Sequence, residues 1–287
     1  MNKLLQIVWL LLVSLQSYQA WSNEIKSVNR IISLAPHITE LVYSAGAGDK
    51  LVGVADYSDF PKQAKLLPVV GSSNTLNIEA IIALNPELII GWESAIRPQD
   101  LAKMGSLGFS VWQTEVKNLT DITSLIIKIG EKAGTLKTAK QTAQKLNFII
   151  QTEKTKYQNK PMVTAFYQVW QTPLMTINGQ QFISLAMNVC GAKNAFADLP
   201  MLASEINIES LIKRNPDVFL IGGEQAFQQA WKDKWLDFPM LNAVKNQQIY
   251  LLNNDLYQRP TARFIENLPD LCRLIDQARE KTTLNKP

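Results

Sequence analysis

Histidine and cysteine are scarce in this 287-residue chain, which has one histidine, His37, and two cysteines. A single imidazole cannot build the multi-histidine sites of zinc or manganese receptors. A Ser-His-Asp triad would have to use His37, and no G-x-S-x-G turn accompanies it. The phosphate-binding loop G-x-x-x-x-G-K-S/T is also absent. We predict that the chain is not an enzyme and holds no metal or cofactor. The alternative, a secreted α/β enzyme, requires a nucleophile beside His37.

Blocks of like charge are also missing. The 29 basic and 25 acidic residues are dispersed along the chain and give a formal net charge of +4. Nucleic-acid grooves need clustered cations, so we predict no nucleic-acid partner. The chain has 46% apolar residues with 13 Gly and 13 Pro, which excludes a low-complexity or disordered polypeptide and is sufficient for two cores.

The longest hydrophobic run, residues 4–15, has only 12 residues and follows a single charge, Lys3. Spanning a bilayer takes about 20 apolar residues, so this run predicts a signal peptide over residues 1–20, cleaved after Ala20. Export to an oxidising compartment allows Cys190 and Cys272 to form one disulfide. Two separate buried thiols are the alternative.

A segment of the first half recurs in the second half at a constant offset of 130 residues. Residues 76–90 read LNIEAIIALNPELII, residues 206–220 read INIESLIKRNPDVFL, and six of the 15 positions are identical. Each copy starts with an asparagine suited to cap a helix, continues with amphipathic spacing, and ends in Asn-Pro followed by an apolar strand. Two copies so far apart indicate two similar lobes rather than a solenoid.

Strand and helix patterns alternate around these copies, which is typical of α/β sheets. Strands are predicted at residues 30–35, 51–55, 87–91, 110–114, 163–169, 217–222 and 248–252. Helices are predicted at residues 38–45, 77–84, 98–107, 181–190, 207–214, 227–236 and 260–281, with a kink or restart at Pro269 in the last.

Between the copies lies a helical region without strand signals, which includes one rod of about 23 residues. We therefore predict an α/β fold of two similar lobes with mostly parallel sheets, joined by one long backbone helix. The predicted divisions are the signal peptide at 1–20, the N-terminal lobe at 21–117, the helical linker at 118–160 and the C-terminal lobe at 161–287.

Aromatic side chains follow several predicted strands, at the edge where open α/β sheets bind their ligands. An aromatic residue at a strand end, taken singly, is more often a packing residue than a ligand contact, but packing explains the position of the whole set less easily. The strand-end candidates for ligand contact are Tyr57, Trp92, Trp112, Trp170 and Tyr257, with His37 following the first strand. Trp231 and Trp235, four residues apart on one helix, are assigned to packing.

These features resemble the periplasmic substrate-binding proteins with a helical backbone, and most closely their cobalamin-binding branch. The resemblance covers about residues 28–278. It rests on residues 30–36, 39–41, 52–54, 57–61, 77–79, 85–86, 107–108, 189–191, 209, 215–216 and 255–259, and on the Cys190/Cys272 pair. Three departures are Ser73, where the best-known member of the family has Trp, DLYQR at 255–259, where that member has DWFER, and His37, which replaces a small residue.

The resemblance implies a monomeric periplasmic protein that holds cobalamin or a related corrinoid between its lobes. It would deliver this ligand to the transmembrane permease of an ABC importer. The implied ligand contacts are Tyr57, Trp92, Asp255, Leu256, Tyr257, Gln258 and Arg259. Glu79 and Glu209 match two surface acids, one on each lobe, that dock on permease arginines.

Three alternatives remain open at this level. The two glutamates have a simpler function as partners of their helix dipoles. His37 either approaches the metal of a corrinoid or haem, or is a polar cleft or helix-capping residue. Haem or an iron-siderophore is the alternative ligand for the same fold.

Overall fold

The computed structural model of the chain describes residues 27–72 and 75–284, and the predicted signal peptide lies outside them. The strands are β1 Ile31–Ser33, β2 Leu51–Val54, β3 Gly71–Ser72, β4 Thr75–Leu76, β5 Leu88–Trp92, β6 Val111–Thr114, β7 Val163–Gln171, β8 Leu174–Ile177, β9 Ala192–Asn194, β10 Ala203–Glu205, β11 Val218–Ile221 and β12 Ile249–Leu251. The helices are α1 Pro36–Ser44, α2 Ile78–Leu84, α3 Pro98–Ser106, α4 Leu119–Ala133, α5 Leu136–Tyr157, α6 Phe182–Val189, α7 Ile208–Arg214, α8 Gln225–Trp235, α9 Asn242–Lys245, α10 Asn254–Tyr257, α11 Ala262–Glu266 and α12 Leu268–Leu284.

The first lobe, called the N-lobe, contains a parallel sheet in the strand order β2-β1-β5-β6. Successive residues of a strand point to opposite faces of a sheet. Ile31 and Ile90 belong to one buried apolar cluster, whereas Ile32 and Ile89 belong to another on the opposite face. Both faces are therefore covered, which explains why these strands have continuous apolar sequences that predicted them correctly.

The second lobe, called the C-lobe, contains a larger mixed sheet in the order β10-β8-β7-β11-β12, with β9 also paired to β7. β7 pairs in parallel with β9 and β11, and β11 with β12, whereas β8 is antiparallel to both β7 and β10. The sequence pattern does not predict β8, β9 or β10. These strands have only three or four residues each and bury polar side chains, among them Thr176, Asn194 and Ser204.

Two helices, α4 and α5, connect the lobes. Asn118 and Asp121 form a capping box at the start of α4, and Gly134, in the left-handed conformation with φ of 71°, ends it. The 22 residues of α5 span about 33 Å. Helix α4 packs on α1 of the N-lobe, and α5 packs on α6, α11 and α12 of the C-lobe. One apolar cluster runs through both helices into both lobes, which disfavours a wide hinge motion.

The repeated segments fold alike, as α2 with β5 and as α7 with β11. Each helix is capped by its asparagine, since the Oδ1 atoms of Asn77 and Asn207 accept backbone N–H bonds of 3.0 and 2.8 Å. Each helix ends at a left-handed asparagine, Asn85 or Asn215, with φ of 43° and 41°. Asparagine tolerates this conformation better than most residues, so the Asn-Pro pair both ends the helix and starts the strand.

The C-terminal helical segment is interrupted once. Helix α11 ends at Glu266 and α12 begins at Leu268, one residue before Pro269, which agrees with the predicted restart. A disulfide joins Cys190, at the end of α6, to Cys272 on α12, and both residues are fully buried. The disulfide prediction is confirmed, and the alternative of two separate thiols is wrong.

Candidate ligand-binding cleft

Two cavities meet at Tyr57 between the lobes. The main cavity, of about 800 Å³, lies between Tyr57 of the N-lobe and the C-lobe. The side cavity, of about 450 Å³, lies within the N-lobe. The main cavity is lined by Tyr57, Tyr167, Val169, Trp170, Ile177, Gln181, Ile183, Leu202, Ala203, Gly223, Glu224, Asn254, Asp255, Gln258 and Arg259. The side cavity is lined by Leu34, Ala35, Pro36, His37, Ala55, Asp56, Tyr57, Ser72, Trp92 and Ala95.

Tyr57 lies on the loop after β2, and its side chain is 82% exposed. Its φ of 63° places a bulky residue in the left-handed region, a conformation with an energetic cost that is enriched at functional sites. The loop is held by a buried hydroxyl chain in which Thr39 Oγ1 lies 2.5 Å from Ser33 Oγ and 3.0 Å from Ser58 Oγ. The aromatic ring is therefore presented to the cleft by a fixed backbone.

An aromatic cluster forms the opposite wall. Trp170, at the end of β7, is 38% exposed and meets Trp231 edge to face at 5.4 Å. Phe227 packs beside both rings. The indole N–H of Trp170 donates to Thr172 O at 3.0 Å, which fixes the ring. Trp231 is buried and supports the wall, in agreement with its predicted packing function.

The segment 255–259 divides between the cavity and the core. Asp255 and Gln258 line the main cavity, and Gln258 Nε2 donates to Gly223 O at 3.0 Å. Tyr257 points the other way: it is buried, its hydroxyl donates to Asn267 O at 3.1 Å, and burial raises its pKa to about 12. Leu256 packs against the same core. The short helix α10 places Asp255 and Gln258, three residues apart, on the side of the cavity, and Leu256 and Tyr257 on the side of the core. The motif in sequence does not reveal this division.

Arg259 is bound by the N-lobe. Its Nη1 donates to Asp59 Oδ1 at 2.6 Å and to Glu40 Oε1 at 3.1 Å, and its Nη2 donates to Tyr57 O at 3.2 Å. Arg263 donates to both oxygens of Glu40, from Nε at 2.8 Å and from Nη2 at 2.6 Å. We call Glu40, Asp59, Arg259 and Arg263 the inter-lobe clasp. It joins the two sides of the cleft by paired charges.

The acids of the clasp differ in exposure. The side chain of Glu40 is 2% exposed, whereas that of Asp59 is 41% exposed. Burial alone would raise the pKa of Asp59, but the hydrogen bond and the charge of Arg259 outweigh it and hold the pKa below its usual value. Asp59 is therefore ionised at neutral pH.

The side cavity is built around a contact between His37 and Trp92. Their ring centroids lie 4.3 Å apart with the planes at 85°. Nε2 of His37 is buried and has no hydrogen-bond partner in the described part of the chain. Burial, together with the charge of Arg259, lowers the pKa of His37 to about 3. The imidazole is therefore neutral at ordinary pH and packs against the indole.

Trp112 lies on the edge strand β6, outside both cavities, where Lys132 Nζ sits 5.2 Å from its ring centroid. Its position near the end of the predicted strand 110–114 was the only signal for it. Conversely, the sequence pattern does not single out Tyr167, Gln181 or Glu224, which line the main cavity. Glu224 lies three residues after the end of β11, so the strand-end rule applied to polar residues would have found it.

Glu79 and Glu209 are exposed, in the first turns of α2 and α7. Neither glutamate forms an ion pair with a residue that the structure describes. Both lie away from the cavity linings.

Residues 27–72 and 75–284 contain no group of three or more His, Cys, Asp or Glu side chains placed to hold a metal ion. No helix in these ranges is long and apolar enough to cross a bilayer.

Comparison with known proteins supports the resemblance read from the sequence. The vitamin B12-binding protein of Vibrio cholerae serotype O1 is 34% identical over 257 residues, which is 88% of this chain and 91% of that protein. The crystal structure of the periplasmic vitamin B12 binding protein of Vibrio cholerae matches with a TM-score of 0.78 at 34% identity, covering 88% of this chain and 98% of that chain. The apo periplasmic heme-binding protein of Roseiflexus sp. RS-1 matches with a TM-score of 0.74 at 26% identity, covering 88% and 99%.

A family model described as periplasmic binding protein matches residues 31–256, which run from the N-lobe through the helices between the lobes and into the C-lobe. The chain therefore belongs to the periplasmic binding protein family.

Proposed function

We propose that the chain is a periplasmic substrate-binding protein that captures cobalamin (vitamin B12) between its lobes and delivers it to an ABC transporter in the inner membrane. It acts by binding, without chemistry on the ligand. The observation that carries the proposal is the main cavity, where exposed Tyr57 faces the Trp170 wall across polar side chains. The 34% identity to proteins named for vitamin B12 binding supports this ligand.

The cavity chemistry suits a corrinoid. A corrin ring is flat and apolar at its faces and carries amide groups around its edge. Tyr57 and Trp170 supply aromatic surface for the ring, and Asp255 and Gln258 supply acceptors and a donor for the amides. The proposed contacts are Tyr57, Trp170, Asp255, Gln258 and Arg259 in the main cavity, with His37 and Trp92 in the side cavity. Leu256, Tyr257 and Trp112 leave this set because they lie outside both cavities.

The shared core of the lobes indicates how the ligand is held. Because the clasp and the α4–α5 pair fix the spacing of the lobes, the cleft is largely formed before the ligand arrives. A preformed site loses little conformational entropy on binding. We therefore propose tight capture with small lobe movement.

Delivery requires a surface that the permease recognises. We propose that Glu79 and Glu209, one on each lobe, dock on cations of the two transmembrane subunits. Two similar exposed acids suit a two-fold symmetric partner. Their simpler function as helix-dipole partners is compatible with docking, since both acids stay exposed in the first helical turn.

The remaining organisation is proposed from the sequence. Residues 1–20 are a cleaved signal peptide, and the mature chain is a periplasmic monomer. The lobes are residues 21–117 and 161–287, with the helical linker at 118–160.

Calorimetric titration of the purified mature chain with cyanocobalamin tests the ligand. We expect a dissociation constant in the micromolar range or below. Absence of a signal with cyanocobalamin, together with binding of haemin, would overturn the proposal in favour of the second candidate.

That second candidate is haem in the same cleft, which is favoured by the likeness to a heme-binding protein and by neutral His37 beside the cavity. The charges of the clasp argue against it. Haem carries two carboxylates and an anionic siderophore several acidic groups, whereas Arg259 is, among the described residues, the one cation that lines the main cavity and is already paired with two acids.

A further inference from the structure

The charges of the inter-lobe clasp balance within the cleft. Two arginines, Arg259 and Arg263, face two acids, Glu40 and Asp59. An anionic ligand group that enters this network meets a neutral cluster rather than a free cation. It gains an ion pair with Arg259 only if one of the acids gives way.

The two acids are not equally able to move. Glu40 is almost fully buried and accepts two hydrogen bonds from Arg263 besides the one from Arg259. Asp59 is 41% exposed, and Arg259 is its single ion-pair partner among the described residues. Releasing Asp59 to water is therefore cheap, whereas releasing Glu40 would leave a buried charge without its partners.

We infer that Asp59 is a specificity-determining residue of the cleft, an internal carboxylate that competes with an anionic group of the ligand for Arg259. The inference rests on the proposed function, because the corrinoid supplies the anion. Cobalamin carries one phosphodiester in its nucleotide loop, whereas cobinamide lacks the nucleotide and its phosphate. When cobalamin binds, the phosphodiester replaces Asp59 as the acceptor of the hydrogen bond from Arg259 Nη1, and Glu40 keeps the guanidinium in place.

Titration calorimetry with cyanocobalamin and dicyanocobinamide tests this exchange. Asp59→Asn keeps the side-chain shape and removes the competing charge. We expect this variant to bind cyanocobalamin roughly three- to tenfold more tightly, the range for a charge-assisted contact near the surface. The dissociation constant of dicyanocobinamide should change by less than about twofold. In an Arg259→Met background the same change is expected to give no gain.

Asp56→Asn is the matched control. It removes an equal charge from a side chain that lines the cleft, but no ion pair joins Asp56 to an arginine in the described ranges. We expect the preference for cyanocobalamin over dicyanocobinamide to rise with Asp59→Asn and not with Asp56→Asn.

Three results would overturn the inference: unchanged or weaker cyanocobalamin binding by Asp59→Asn, an equal gain for both corrinoids, or an equal gain from Asp56→Asn. Failure of the wild-type chain to bind either corrinoid would instead overturn the proposed function. Thermal unfolding of each variant verifies that the fold is intact.

Discussion

The N-lobe and the C-lobe contain the same repeated unit and differ in what surrounds it. In both copies, the alternation of exposed and buried positions is the same over residues 75–83 and 205–213. The N-lobe adds a four-stranded parallel sheet, whereas the C-lobe adds a mixed sheet, a disulfide and the aromatic wall. The side chains that line the two cavities all lie outside residues 76–90 and 206–220. The repeat therefore accounts for the scaffold, and segments outside it make the site.

One pair of equivalent positions illustrates this difference. Trp92 follows the first copy by two residues, and Gly222 follows the second copy by two. A Cβ atom at Gly222 would lie 2.1 Å from the hydroxyl oxygen of Tyr167, so no larger residue fits there without moving the tyrosine. The N-lobe thus presents an indole at its strand end, and the C-lobe uses glycine to make room for a tyrosine from the neighbouring strand.

The largest expected effect concerns the disulfide, which only the C-lobe has. It joins residues 82 apart in sequence, and closing a loop of that length stabilises by about 4 kcal/mol in the chain-entropy model. We expect the Cys190→Ala/Cys272→Ala variant to lose about this much unfolding free energy, measured by urea denaturation. Wild-type protein with its disulfide reduced should behave like the variant. A loss below about 1 kcal/mol would show that the C-lobe does not depend on its cross-link.

The second-largest expected effect concerns the clasp. The clasp joins the two lobes, whereas the disulfide stabilises the C-lobe alone. Glu40→Gln leaves Arg263 and Arg259 without their buried acid, and we expect about 3 kcal/mol of destabilisation. Glu266→Gln is the control, since it breaks the exposed pair with Lys145 and should cost less than about 1 kcal/mol. A double-mutant cycle with Arg263→Met measures the coupling. Additive losses would show that the pair does not join the lobes energetically.

The third effect depends on pH and belongs to the N-lobe. The pKa of His37 falls from 6.5 to about 3 on folding, because burial disfavours the charged form. As the pH falls below 6.5, His37 binds a proton in the unfolded chain but stays neutral in the folded chain. Stability is therefore lost between about pH 6.5 and pH 3. The slope is about 1.4 kcal/mol per pH unit, which gives about 2 kcal/mol between pH 6.5 and pH 5.

Urea titrations at pH 7 and pH 5 measure this loss against a His37→Gln variant, which lacks the titrating group. We expect the variant to lose about 2 kcal/mol less than the wild type over this interval. Equal losses in the two proteins would show that His37 is protonated normally in the folded chain.

The sequence could predict some of these features and not others. The repeat, the capping asparagines and the parallel strands are local patterns, so they were predictable, as was the disulfide. The clasp was not, because Glu40 and Arg259 are 219 residues apart and meet only after both lobes fold. The motif at 255–259 identified the right segment but not which side chains point inward. That depends on the helical turn of α10, which separates Tyr257 from Gln258.

The smallest expected effect compares the two proposed docking acids. In the C-lobe, Lys213 lies one turn after Glu209, where its charge partly offsets the acid, whereas the N-lobe has Ala83 at the equivalent position after Glu79. Glu79→Gln should therefore weaken binding to the permease by about fivefold and Glu209→Gln by only about twofold, the range of exposed ion pairs.

Binding to the chain's own ABC permease in lipid nanodiscs, followed by surface plasmon resonance, measures these differences, and cyanocobalamin titration serves as the control for an intact cleft. Exchanging the neighbours tests the cause. Lys213→Ala should strengthen the contribution of Glu209, and Ala83→Lys should weaken that of Glu79, so that the double exchange reverses the order of the two lobes. If Glu79 still contributes more than Glu209 after the exchange, the difference between them comes from the permease surface and not from the helices of this chain. If neither glutamate variant changes permease binding, both acids act only on their own helix dipoles.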